Sequence, residues 1–295
     1  MELPQLHGAA DRASRHAQAW TKGLLLSEIV ALVLASAAST FSWKGDVAGA
    51  ERNLAAAVAA TGLLVAGLLA VWRGLWHPEA EWYRSRALAE SVKSVSWLYA
   101  VAGHPFALSE PDADALFLER LSALRKDTSD LALVPPSAGA QQITTEMRSR
   151  RGSPLPDRAK AYIDQRLNDQ VDWYSQKAAS HRRWANILGA GSVVAIVAGV
   201  ALSVLAFLQA TSINGLGIAT TVATALIAWS QLNQHRVQAT SYGVTGEDLL
   251  MVREALPAPE EEVPWSQFVA DAEAAFSREH TRWLARRELT SPRVV

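Results

Sequence analysis

The chain has 295 residues, a formal net charge of −1 and only 19% charged residues, below the roughly one quarter usual in a soluble domain. So even a balance offers no global field to attract a nucleic acid. The lack of cysteine excludes disulfides, thiolate metal sites and cysteine nucleophiles.

The first twenty residues mix Glu2, Asp11, Arg12 and Arg15 with apolar positions and are not read as a secretory signal. Four apolar runs follow. The first, 24–43, is broken only by Glu28; the second, 54–72, carries no charge. The third and fourth are 185–208 and 213–229, within a stretch from Trp184 to His235 that holds no Asp, Glu, Lys or Arg. Each run has the length a helix needs to cross roughly 30 Å of hydrocarbon. A helix is the spanning form expected, because lipid offers no partner to backbone N–H and C=O groups. Buried core helices are the alternative, but the remaining sequence is too short to wrap four of them.

Tryptophan marks the run ends. Trp20 and Trp43 bracket the first, Trp72 and Trp76 follow the second, Trp184 precedes the third and Trp229 closes the fourth. Indole settles at the headgroup level. The expected fold is therefore all-α: an integral membrane protein of two transmembrane helical hairpins, with helical stalks bundled on one side. The hairpin turns hold few basic residues, Lys44 and Arg52 in the first and none in the second. Arg12, Arg15, Lys22, Arg73, Arg182, Arg183 and Arg236 lie at the opposite ends. The positive-inside rule then puts both termini in the cytoplasm.

The halves repeat one plan. A basic segment ending in Trp leads into a hairpin, and a polar helix with Tyr83 or Tyr242 follows. Ser27, Ala31, Ala35 and Ser39 recur every fourth residue, as do Gly191, Ala195, Gly199 and Ser203. Such spacing makes a groove for close helix approach in lipid. It reads as packing within each hairpin or, more sharply, as an oligomer interface or pore lining. The domains expected are a first two-span repeat over 1–134, a linker over 135–156 around Pro135 and Pro136, and a second repeat over 157–295.

Outside the spans, 79–102 has an apolar face of Leu88, Val92, Val95 and Tyr99, and 112–127 is a second helix. A helix from Asp157 has no Gly or Pro before Gly189 and should run unbroken into the third span. The fourth span should exit into 236–256, where Gly243 and Gly246 could bend it. In the last helix, 264–289, Trp265, Phe268, Ala272 and Phe276 share one stripe.

No GxGxxG, P-loop, HExxH or GxSxG pattern occurs, so neither enzymatic activity nor a cofactor is expected. Glu279-His280 reads as a structural pair. Glu28 is the one ionisable residue inside a run, and such residues are costly and often functional; it reads either as a headgroup contact or as a pore or relay group. Arg148, Arg150 and Arg151 read as a solvated or lipid-facing patch rather than a phosphate site. Thr220, Thr221 and Thr224 offer mild polarity on the fourth run.

The stretch Trp82-Tyr83-Arg84-Ser85-Arg86-Ala87-Leu88-Ala89-Glu90-Ser91-Val92-Lys93, with Trp97 and Tyr99, resembles the first half of the tandem bacterial SLATT proteins. The segment from Ile143 to Arg148, then Tyr162, Arg166, Gln170, Trp173, Tyr174 and Lys177, resembles the start of their second half, and Glu279-His280 with Trp283 their ending. The resemblance implies two-span modules of the bacterial plasma membrane, suggested to be antiviral effectors that form pores or disrupt the membrane. It also implies association with enzymes or sensors of nucleotide signals, and it defines no catalytic residue. The leading expectation is a membrane effector or channel-like module gated by its cytoplasmic helices. Its partners would be the lipid bilayer, further copies of itself as a homo-oligomer, and a nucleotide-signalling protein or nucleotide ligand. A scaffolding membrane protein is the alternative, then a transporter.

Overall fold

The computed structural model describes residues 1–40, 43–47, 49–137, 139–210, 215–256 and 261–290, with side chains described as far as Phe276 apart from 47 and 50. Most of the second expected turn with Ile213, the prolines Pro257 and Pro259, and the side chains of Glu279, His280 and Trp283 lie outside the described residues.

Helices dominate, including one, Thr145–Arg151, inside the stretch expected to be a linker. They are α1 Gln5–Ser39, α2 Leu54–Trp76, α3 Pro78–Ala100, α4 Ala113–Asp127, α5 Thr145–Arg151, α6 Leu155–Tyr162, α7 Asn168–Phe207, α8 Leu216–Leu232, α9 His235–Glu254 and α10 Glu262–Thr290. Between α6 and α7, Ile163–Leu167 form a π-helical turn, so the helix expected to run unbroken from Asp157 carries one local widening. Gly243 and Gly246 do not interrupt α9.

One feature departs from a purely helical fold. The loop after the first apolar run forms a two-stranded antiparallel ribbon, β1 Lys44–Val47 and β2 Ala50–Asn53, with Lys44 opposite Asn53. Gly49 turns it at φ +76°, where glycine escapes the Cβ clash. Its N–H donates to Asp46 Oδ1 at 2.9 Å. Asn53 then caps α2, its Oδ1 accepting from Ala56 N–H at 3.2 Å.

The chain divides into two compact units, each drawn from both sequence halves. One comprises Met1–Gln18, Glu79–Ala178 and Thr240–Val295; the other comprises Ala19–Pro78 and Ala179–Ala239. The first is an ordinary apolar-in bundle. Leu88, Val92, Tyr99, Phe106, Phe117 and Met147 form one buried cluster. Trp97, Val101, Tyr162, Trp265, Val269 and Ala272 form a second, and Leu167, Tyr174, Leu249 and Phe276 a third. The stripe Trp265, Ala272 and Phe276 is buried as its spacing implies, with Phe268 packed beside it. Within 135–156, Thr144 caps α5, which sinks Met147 into the first cluster.

The second unit is turned inside out. Its buried positions are mostly small, such as Ala35, Ala55, Ala59, Ala66 and Ala223. Its large apolar side chains face outward: Leu34, Leu64, Leu68, Val71, Val194 and Val197 are each at least 60% exposed. An apolar surface of that extent has no stable contact with water. Three helices, Gln5–Ser39, Leu54–Trp76 and Leu155–Phe207, are long and apolar enough to cross a membrane. The fourth apolar helix, α8, has 17 residues, about 25 Å at 1.5 Å per residue.

Candidate functional site

The apolar unit is held together by close backbone approach. A Cβ on Gly62 of α2 would stand 2.9 Å from Ala35 Cβ and 3.1 Å from the Ala31 carbonyl oxygen of α1. On α7, a Cβ on Gly199 would run into Ala219 of α8, and one on Gly191 would come 3.2 Å from Leu226. Small side chains therefore allow α1 to meet α2, and α7 to meet α8. Of the other stripe positions, Ser27 and Ser39 are exposed, while Ala195 and Ser203 are half-buried.

Several hydroxyls of this unit are satisfied along their own helix. Thr220 and Thr221 donate to the carbonyls of Leu216 and Gly217, and Ser203 to that of Gly199. Thr221 Oγ1 also meets Ser36 Oγ at 3.0 Å, a contact between α8 and α1. Thr220 and Thr224 stay exposed. Glu28, the isolated carboxylate of the first run, pairs with Arg73 at 3.2 Å. Beside that end, Trp20 meets Trp76 edge to face with centroids 5.4 Å apart, and Trp72 stacks on Trp76 at 6.2 Å. Trp43 and Trp184 are exposed and Trp229 half-buried.

The polar unit carries a buried charge network at the π-helical turn. Arg166 grips Glu273 with two parallel bonds, Nε to Oε1 at 2.9 Å and Nη2 to Oε2 at 2.7 Å. Both side chains are 2% exposed. Tyr162 donates to Glu273 Oε1 at 3.0 Å, Arg166 reaches Ser94 Oγ at 3.2 Å, and the guanidinium lies 4.6 Å from the Phe276 ring. Nearby, burial and then the Arg166 charge push the Lys93 ammonium below its usual range, partly offset by Glu90. About two turns before Arg166, buried Arg158 pairs with Glu262 and reaches the Val101 carbonyl at 3.4 Å. Trp265 Nε1–H donates to the same carbonyl at 2.9 Å. A bidentate, desolvated arginine–carboxylate pair fixes orientation as well as charge. It ties α10 to the α6–α7 junction, and π-turns of this kind often mark functional positions.

Sequence reasoning missed this network. The sole signals were Arg166 and Glu273 on otherwise apolar helix faces, with partners more than a hundred positions apart. The basic patch expected to be solvated is so at Arg148, while Arg150 and Arg151 are half-buried. Arg148 pairs with Asp114 at 2.7 Å and Arg150 with Glu146 at 3.3 Å, while Arg151 donates to the carbonyls of Tyr99, Phe106 and Ala107. Arg151 thus closes the edge of the first cluster, while Arg148 makes an exposed ion pair. Among the described residues, no three His, Asp or Glu side chains gather in metal-binding fashion.

Comparison with known families matches both halves of the chain. Residues 4–159 match the domain described as SMODS and SLOG-associating 2TM effector domain 3, and residues 162–283 match SMODS and SLOG-associating 2TM effector domain 1. No curated protein and no solved structure matches the chain. An outward-facing apolar unit and matches over nearly the whole length lead to one conclusion: the chain is a membrane protein of the SLATT effector family, with two SLATT domains in tandem.

Proposed function

We propose that the protein is a four-span effector of the bacterial plasma membrane that opens a path through, or perturbs, the bilayer when its polar helices rearrange. The observation that carries this reading is the outward apolar face of the unit formed by Ala19–Pro78 and Ala179–Ala239. Counting α8 as the fourth span is supported by the description of each matched half as a two-span domain. The excess of Lys and Arg at the ends opposite the hairpin turns supports cytoplasmic termini.

The helices of each pair meet closely at Gly62 and Gly199, so on this reading the conducting state is built from several copies. The exposed Thr220 and Thr224 offer those copies a mildly polar seam. The activating signal on this reading is a nucleotide or a nucleotide-signalling protein acting on the polar unit. α1 and α7 contribute residues to both units, and on this reading they carry the rearrangement to the spans.

The test is the purified full chain in liposomes loaded with an ion reporter, with and without cyclic nucleotides, alongside membrane potential in expressing cells. Release and depolarisation are expected. A monomer that releases nothing and is harmless on overexpression would leave a scaffold for cytoplasmic partners instead. For orientation, cysteine at Asp46 should react with an impermeant thiol reagent from outside and cysteine at Thr128 should not; the reverse pattern overturns the topology.

A further inference from the structure

His181 of α7 and His235, the first residue of α9, meet within the apolar unit. Their Nδ1 atoms are 3.1 Å apart, with ring centroids at 4.9 Å and planes at 52°. A contact of that length needs one Nδ1 bearing hydrogen and the other bearing a lone pair. It survives with both rings neutral or with one charged. With both charged, two N–H donors face each other and the bond is lost.

The surroundings sharpen this. Lys22 of α1 acts on His235. Arg182 and Arg183 follow His181 on α7, Arg236 follows His235 on α9, and α8 has no charged residue. The unit's carboxylates are Glu28, Asp46 and Glu51. Glu28 is engaged by Arg73, and the other two belong to the β-ribbon.

We propose that the His181–His235 pair is a proton-sensitive latch between α7 and α9, closed while one imidazole is neutral and released when both are protonated. Burial first, then Lys22, hold His235 below the ordinary histidine value of 6.5. A depressed folded-state value means that folding favours the neutral His235 ring, a contribution complete above that ordinary value. The contribution is lost as pH falls through the lower folded value. The latch requires only the contact itself and so stands apart from pore formation.

The chain has no native cysteine, so spin labels can be placed at Ser180→Cys and Val237→Cys, both exposed, on the full chain in lipid nanodiscs. The label distance should lengthen on moving from neutral to mildly acidic buffer. Introducing His235→Gln, or His181→Gln should the first variant fail to fold, should leave one distance at both values. An unchanged distance in the unmodified pair, or lengthening that persists in the glutamine variant, overturns the latch.

Discussion

Arg73, in the last turn of α2, reaches Glu28 of α1 with Nη2 3.2 Å from Oε2, both side chains less than a quarter exposed. The carboxylate that looked isolated in the sequence is half of an ion pair closing two helices at one end.

Glu28→Gln should therefore act on stability before it acts on any transport. The loss is about 1.5–3 kcal/mol, the range for a hydrogen bond to a charged group. Arg73→Gln should add little on top of it. Thermal unfolding of the four members of this double-mutant cycle in detergent checks the coupling. Fully additive losses would mean the two residues act separately.

Arg166 and Glu273 predict a larger effect. Removing one partner of a buried pair leaves an unpaired charge, at a cost of roughly 3–5 kcal/mol. Glu273→Ala should lower the unfolding midpoint of the full chain well beyond Glu28→Gln. Replacing both Arg166 and Glu273 by apolar residues of similar volume should recover much of the loss. A double variant as damaged as the single one would contradict this account.

Gly62 and Gly199 should tolerate no side chain. Leucine at either position forces α1 from α2, or α7 from α8, with overpacking costs of about 1–3 kcal/mol. Gly67 and Gly189 are internal controls, since a Cβ there meets nothing within 4 Å. Gly67→Ala and Gly189→Ala should be neutral or mildly stabilising, as expected for glycine within a helix. Equal damage at all four sites, read by midpoint and oligomeric state, would remove the packing argument.

Tyr99 supplies an alkaline prediction. Burial, then its hydrogen bond to Asp114, push the phenol up to about 12. A raised folded-state value stabilises the fold below the ordinary tyrosine value of 10, and this contribution disappears as pH climbs through 12. Phenolate absorbance of the folded chain should show a late-ionising component that Tyr99→Phe removes. If the component remains, the Tyr99–Asp114 contact is not what holds the proton.

What was legible in the sequence was periodic. The apolar runs, the α3 face of Leu88, Val92 and Tyr99, and the α10 stripe of Trp265, Ala272 and Phe276 follow from spacing along one helix. The rest depends on which helix lies opposite, and spacing is silent about that. Arg158 and Arg166 are arginines on apolar faces, ordinarily read as solvated, and only Glu262 and Glu273 explain their burial. The strands of the ribbon, Lys44–Val47 and Ala50–Asn53, have four residues each, too few for a periodic signal. Phe117 packs with Tyr99 and Phe106 in a cluster to which the helical reading of 112–127 alone gave no address.

The interleaving of the two units also bears on heredity. Trp97 and Val101 lie in the first matched domain, Tyr162 and Trp265 in the second, and the four share one cluster. Two domains that share a core cannot drift as independent genes might. A change on one side of that cluster selects for a compensating change on the other. Recombination that exchanges one half between distant tandem relatives should fail at this seam more often than exchange of the whole pair.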